Sequence, residues 1–547
     1  MPAAPSVPGL PPAALAAEQQ ILPDRIAAHT RFLSDDLLEG RGPGTRGGRL
    51  AALYTQTQFA LLGLEPAGEA GGWTQAVPMV NIATRPESTF AFSTGGEKVT
   101  LSGGTEYTVI NQTAQPVVDV HAAPIVFVGF GIHAPALGWD DYAGVDMKGK
   151  VALILVSQPP SPEPSASGTP HTPFTGKALT YYGRWTYKYE EAARQGAVGA
   201  ILVHQTTMAS YPWSVIGTRW GTETAYLASG TEARVPLAAW VQFAVAEKLL
   251  ASNHLDLTQL IAKARTPGFR AQPLASNLSA HVVSTVTPFT GQNVIAKLPG
   301  TPANHAAILY TAHFDHLGID RAAHGDQIYN GAIDNALADG MLLEVARGFA
   351  YAAREGGAPP GPVYFAAVDA EEQGLLGSEY LAQHPPVPVR QIALNLNFEG
   401  IFIMPGGIPQ QLMVSGAERT SFLPEVESTA KTFGMSIIPD PFPAAGYFYR
   451  SDHFSFARAG VPAFSIGAGN QFEGHDLAYG QAIAADYIAH RYHQPSDEFN
   501  PHWDLRAQAR LAQLSIALGW QALLSTQPIV WNQGDEFEAP RLRSQQR

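Results

Sequence analysis

From Asn293 onward the chain alternates apolar strands with helices, and this constrains its fold more than any other feature. Strands are expected at Ala306–Tyr310, Val363–Val368, Ile392–Phe398 and Val461–Ile466. Helices are expected at Gly340–Ala353, Gly377–Gln383, Phe422–Phe433 and Leu505–Leu524. The strand runs are mostly apolar and carry no charge, so both of their faces need cover. The pattern predicts an α/β segment: a mixed, mostly parallel sheet flanked by helices. In such sheets functional groups gather at the carboxyl ends of the strands.

The 547 residues are too many for one ordinary core. Residues 1–23, rich in Pro and Ala, read as a flexible lead. Residues 24–80 read as a helical part belonging with the later α/β segment, because Leu50, Leu53, Tyr54 and Leu61 recur at helical spacing. Glu39-Gly40-Arg41-Gly42-Pro43-Gly44 marks a loop between two helices. Residues 81–285 read as a β-rich region of short buried strands, including Pro124–Val128, Val151–Val156 and Gly199–Val203. Within it, Gln158–Gly176 is dense in Pro, Ser, Thr and Gly and reads as a long loop. The α/β segment covers 286–525, and 526–547 is a polar, peripheral tail.

Charge and composition exclude several classes. The formal net charge is −13, which disfavours nucleic acid or an anionic membrane as partner. No run approaches the roughly 18 apolar residues of a membrane span. Met1–Gln20 lacks the basic and apolar regions of an intact signal peptide. With no cysteine in the chain, disulfides, thiolate metal sites and a thiol nucleophile are all excluded. A bound metal must therefore be held by nitrogen and oxygen.

Such donors occur in order along the α/β segment. Ala312-His313-Phe314-Asp315-His316-Leu317-Gly318 follows the first strand. Asp334 follows in Gly-Ala-Ile-Asp-Asn-Ala, then Glu371-Glu372, then Glu399 in Asn-Phe-Glu-Gly, then His493 in Tyr-His-Gln-Pro-Ser-Asp-Glu. Imidazole and carboxylate suit zinc where thiolate is absent. Two zinc ions close together need a shared anion, and Asp334, among small neighbours, is the natural bridge. Asp315 is placed to accept the second ring N–H of His313. Adjacent glutamates can divide labour: with Glu372 on zinc, Glu371 is free to act as general base and proton shuttle. Each element alone has an ordinary structural explanation; their joint occurrence points to a two-metal hydrolase. The chain lacks a phosphate-binding Lys-Ser/Thr loop, a Gly-x-Ser-x-Gly elbow and a His-Glu-x-x-His helix.

These motifs resemble the co-catalytic di-zinc exopeptidases of the peptidase M28 type, which include bacterial leucyl aminopeptidases and glutamate carboxypeptidase II. Leu33–Gly48, with Leu-Leu-Glu-Gly-Arg-Gly, is similar to the N-terminal helical segment of the bacterial members. Val126–Val203, with Gly129-Phe130-Gly131, Asp141-Tyr142 and Gly149-Lys150-Val151, resembles a protease-associated (PA) domain. The resemblance implies a zinc aminopeptidase fold with an inserted PA domain and two zinc ions per chain. One ion would take His313, Asp334 and Glu399; the other Asp334, Glu372 and His493. It implies Glu371 as general base and a cis peptide at Asp334-Asn335. Tyr447, Tyr449, Asp452, His453 and Tyr492 would lie at the substrate pocket. The family normally has Asp where this chain has Asn397-Phe398-Glu399. A register with Asn397 as ligand is the alternative, but a neutral amide is a poor zinc ligand, which favours Glu399.

The implied activity is removal of N-terminal residues from peptides by a two-metal hydroxide mechanism. A carboxypeptidase or dipeptidase on the same scaffold is one alternative, and a non-catalytic binding protein on a peptidase fold is another. The implied partner is a peptide substrate, and the implied location is periplasmic or secreted, with a cytoplasmic one open. Oligomeric state is not legible in the sequence.

Overall fold

The computed structural model describes residues 4–159, 174, 178–209, 211–230, 232–301, 306–440 and 443–546. The loop expected over 158–176 thus lies outside the described residues except at 158, 159 and 174. The chain divides into two compact units. One comprises Met1–Pro78, Thr290–Pro441 and Tyr447–Arg547; the other comprises Met79–Phe289 and Phe442–Gly446.

The first unit is built on a sheet whose strands are β1 (Gln272–Leu298, through its last residues), β2 (Ala307–His313), β3 (Val363–Val368), β4 (Ile392–Asn397), β5 (Gln411–Ser415) and β6 (Ala463–Ala468). Four strands run parallel in the order β3-β2-β4-β6. β1 joins antiparallel beside β3, and β5 joins antiparallel beside β6. This is the mixed, mostly parallel α/β sheet that the pattern predicts. Every residue of β2 and β3 is buried, which is why these runs show no polar alternation.

Helices cover both faces. They include α1 (Pro12–Glu18), α2 (Pro23–Leu33), α3 (Arg46–Leu61), α4 (Leu337–Arg354), α5 (Leu376–Gln383), α6 (His453–Arg458), α7 (Leu477–His490), α8 (Arg506–Leu524) and α9 (Glu538–Gln545), and Leu423–Thr432 is a further helix close to the one expected at Phe422–Phe433. α4 and α8 are buried along most of their length, since each packs beneath the sheet with further helices outside it.

Two segments differ from expectation. The lead is not merely flexible: Pro12, at the first helical position, starts α1, and Ala14, Ala17 and Ile21 join the main core. Small alanine side chains let this helix approach α4 and α8 closely, so a stretch read as Pro/Ala-rich coil is a packed helix. The tail is not peripheral either. Trp531 and Phe537 are each 2% exposed. Arg419 binds Asp535 at 2.8 Å and Glu536 at 2.7 Å, with its guanidinium over the rings of Phe448 and Phe537. Two acidic residues of the tail, Asp535 and Glu536, are thus the partners of the half-buried Arg419.

The second unit has its own sheet and cores. Val117–Phe127, Val151–Leu155, Gly199–His204 and Leu237–Gln242 are parallel neighbours in that order. Thr89–Thr94 and Tyr107–Ile110 add antiparallel partners. Helices Trp185–Arg194, Phe243–Ala251 and Leu257–Ala264 accompany the sheet.

Candidate metal centre

Three strand ends and two turns converge. β2 ends on His313, so its ring stands at the carboxyl edge of the sheet. Glu371 and Glu372 follow the end of β3, and Glu399 follows the end of β4. Asp334 lies in the turn before α4, and the Asp334-Asn335 peptide is cis. His493 follows α7 with φ of 56°, a left-handed conformation that β-carbon-bearing residues adopt only where the surroundings impose it.

Asp334 faces both ways. Its Oδ1 lies 3.4 Å from His313 Nε2 and its Oδ2 lies 3.3 Å from His493 Nε2. On the first side, His313 Nε2 also stands 3.7 Å from Glu399 Oε1 and 3.9 Å from Glu371 Oε2. On the second side, His493 Nε2 lies 3.2 Å from Glu372 Oε2, and His316 Nδ1 lies 2.7 Å from Glu372 Oε1. The structure therefore gathers all five residues proposed as ligands together with Glu371, and adds His316. Two groups of donors are close enough to share a cation: His313 with Glu371 and Glu399, and His316 with Asp334 and Glu372. His313 Nε2, both ring nitrogens of His316 and Glu372 Oε1 are buried without a hydrogen-bond partner. Such atoms are costly to leave unpaired. A nitrogen-and-oxygen set with orphaned imidazoles fits a zinc ion.

The supporting contacts are specific. Asp315 accepts hydrogen bonds from the backbone N–H groups of Glu371 at 3.0 Å and Glu372 at 3.3 Å, so it fixes the glutamate pair. His313 Nδ1 donates to the Asp315 backbone carbonyl at 3.3 Å, with the carboxylate farther off at 3.6 Å. The expected carboxylate–imidazole bond is thus secondary to a backbone contact. Ser451 donates to Glu399 Oε2 at 2.8 Å and receives the Asn397 amide at 2.8 Å. Asn397 in turn accepts from Thr311 at 2.7 Å, so this amide is committed to the network rather than to the cluster.

Asp497 and Arg41 support the centre but were not among the residues singled out. Asp497 accepts from the N–H groups of Ile333 and Asp334, both at 3.1 Å. Its place in the Pro-Ser-Asp-Glu run after His493 was the only signal. Arg41 is completely buried and donates to the carbonyls of Leu33, Phe314, Asn330 and Gly331. Two of the loops it ties together carry His313 and Asp334.

The pocket residues divide. Tyr492 stacks on His493 with ring centroids 4.0 Å apart. Asp452 is buried beside the cluster, and Tyr447 packs against Phe402 beneath the Arg450 guanidinium. Tyr449 turns instead to the tail, where its hydroxyl donates to Glu536 at 2.6 Å. His453 packs against Phe448 with both ring nitrogens unpaired.

Electrostatics follow from crowding. Burial, then repulsion from Glu372, Glu399 and Asp452, pushes the Glu371 carboxyl well above its usual range, although His313 counteracts. Burial raises Asp452 to about 7. Burial would also raise Asp334, but His313 and His493 hold it far below the ordinary carboxylate range. Burial and then Arg419 press His453 down to about 3, so that ring is neutral.

Residues 293–518 match the family model for peptidase family M28. This chain is therefore similar to the M28 peptidases over that stretch. The matched stretch contains every residue of the cluster, all of them in the first unit, whereas Arg41 reaches the cluster from the N-terminal helices. No curated protein matches the chain. Among solved structures, an aminopeptidase from Aneurinibacillus sp. strain AM-1 is 19% identical, covers 93% of this chain and 96% of its own, with a TM-score of 0.49. A zinc aminopeptidase from Bacillus subtilis is 18% identical, with 95% and 97% covered and a TM-score of 0.42. A peptidase M28 precursor from Shewanella amazonensis is 15% identical, with 94% and 98% covered and a TM-score of 0.40. These likenesses are too distant to say what this chain acts on. No helix among the described residues is long and apolar enough to cross a membrane.

Proposed function

We propose that this chain is a zinc-dependent aminopeptidase with two metal positions joined by Asp334. The observation that carries the reading is the two-sided placement of Asp334, one carboxylate oxygen toward His313 and the other toward His493. In this reading His313, Asp334 and Glu399 hold one ion, and Asp334, Glu372 and His493 hold the other. Zinc bound there would supply Lewis acidity toward the scissile carbonyl and a more acidic water. Glu371, beside His313 and not needed as a ligand, takes the proton from the attacking water and hands it to the leaving amine. Asp315 fixes the Glu371 backbone, and so the carboxylate's place, through the bond to its N–H.

The charge of the pocket supports attack at the amino end. Asp315, Asp334, Glu372 and Glu399 match the charge of two divalent ions, and Glu371 and Asp452 add two further carboxyl groups beside them. Arg41, the buried cation near them, has its guanidinium spent on backbone carbonyls. A free α-ammonium is attracted to such a site, and a terminal carboxylate would require an arginine fork. Arg450 is exposed and lies over Tyr447. We also read the second unit as the PA domain; its parallel strands and the Asp141-Tyr142 turn support this.

The test is a panel of aminoacyl amides and short peptides, each with a free or acetylated amino end, assayed in the zinc-loaded protein. Cleavage is expected to require the free amine. Equal hydrolysis of N-acetylated peptides with free carboxyl ends would overturn the aminopeptidase reading in favour of a carboxypeptidase.

A further inference from the structure

We propose that His316 is a fourth protein ligand, which fills the coordination shell of the ion held by Asp334, Glu372 and His493 and makes it the first to bind. This rests on the two-metal reading above and adds a donor to it.

His316 is wholly buried, yet both of its ring nitrogens lack a hydrogen-bond partner. Its Nδ1 stands 2.7 Å from Glu372 Oε1, which is itself without a hydrogen-bond partner. Both atoms are buried polar groups without an aligned donor and acceptor, and both can reach one ion lying beside them. The other contacts have the spacing that a cation imposes. Bonds of about 2.05 Å in a tetrahedron separate neighbouring donors by roughly 3.3 Å. His493 Nε2 lies 3.2 Å from Glu372 Oε2 and 3.3 Å from Asp334 Oδ2. His316 also shares a cation-sized space with Asp334 and Glu372. The rings of His316 and His493 meet edge to face with centroids 5.7 Å apart, beside the same two carboxylates.

The backbone makes room for this ring. Gly331 has φ of 56°, and a Cβ there would come within 2.5 Å of His316 Cγ. The turn that presents Asp334 thus leaves the space in which His316 sits.

Two imidazoles and two carboxylates complete a tetrahedron, as closed zinc sites require. The other position retains three protein donors, His313, Asp334 and Glu399, and Glu371 stands beside it. The open coordination site and the general base then fall on the same side of Asp334. The competing account gives His316 only a hydrogen bond that orients Glu372.

The experiment titrates metal-free full-length protein with zinc against a graded chelator, and records X-ray absorption at one equivalent. The proposal expects two imidazoles per zinc at the first equivalent. It expects His316→Ala and His316→Asn to weaken that first equivalent by more than a hundredfold, beyond the 10–100-fold of an outer-shell contact. Asn can replace the Nδ1 hydrogen bond but is a poor zinc ligand, so it separates the two accounts. One imidazole at the first equivalent of wild type, or wild-type affinity in His316→Asn, overturns the proposal and leaves the peptidase reading standing. Wild-type protein that binds no zinc overturns both.

Discussion

Asp334 shows how much one side chain is asked to do. Its two oxygens serve opposite imidazoles, so its position must be held within tenths of an ångström, and Asp497 does this by taking the N–H groups of Ile333 and Asp334. Asp497→Ala leaves two buried donors unpaired, each costing about 1–3 kcal/mol. The expected outcome is lower thermal stability and weaker zinc binding, read by calorimetry and metal analysis; a variant with wild-type metal content and melting temperature would contradict the role. Glu371 is different, because it is not required to hold an ion. Glu371→Gln should retain both zinc equivalents and lose about 10²–10⁴-fold in kcat, the range of general acid–base catalysis. Near-normal turnover would remove Glu371 from the mechanism. The residues of the cluster were legible because their types are unusual in buried positions. Tyr449 was not, because nothing near it in sequence announces that Glu536 will claim its hydroxyl.

At the scale of elements, the strands and long helices were readable from their patterns. β3 runs from Val363 to Val368 as expected, and α8 begins at Arg506, one residue from its expected start. α1 was not readable: a seven-residue helix has little periodicity of its own, and packing on α4 and α8 stabilises it rather than propensity. Its last residue, Glu18, is 1% exposed. Burial lifts its carboxyl to about 8, against the pull of Arg510. Because the folded chain holds this proton more tightly than the unfolded chain, its stabilising effect is full below about 4.5 and is lost as pH rises through about 8. The melting temperature of wild type should therefore fall between pH 5 and 8.5, and Glu18→Gln should flatten that fall. Parallel profiles for the two proteins would show that Glu18 is not the titrating group. The loop carrying Arg41 joins the N-terminal helices to the metal-bearing loops by four donations to carbonyls. Arg41→Met should cost at least about 3 kcal/mol, measured by denaturant unfolding, since several buried acceptors lose their partners together.

For the whole molecule, the two units have separate cores, and all the candidate ligands lie in one of them. A ligand that binds only the folded state stabilises by about 4 kcal/mol at a thousand times its dissociation constant. Differential scanning calorimetry should accordingly show one transition that drops on chelation of zinc and another that does not move. A uniform shift of all transitions would mean that the units unfold as one. The tail belongs to this scale too, since Trp531, Phe537 and the Arg419 partners Asp535 and Glu536 anchor it far along the chain from the residues they touch.

The sequence by itself determined the α/β class, the order of the metal-binding candidates and the chemistry open to a chain without cysteine. These depend on local periodicity and on side-chain type, which a linear reading retains. Only the tertiary structure decided which donors meet. His316 stands three residues from His313, yet it faces Glu372, because the chain turns between them and Gly331 vacates the space its ring fills. Long-range convergence depends on backbone direction and on the room left by distant residues, and neither is encoded in any single segment.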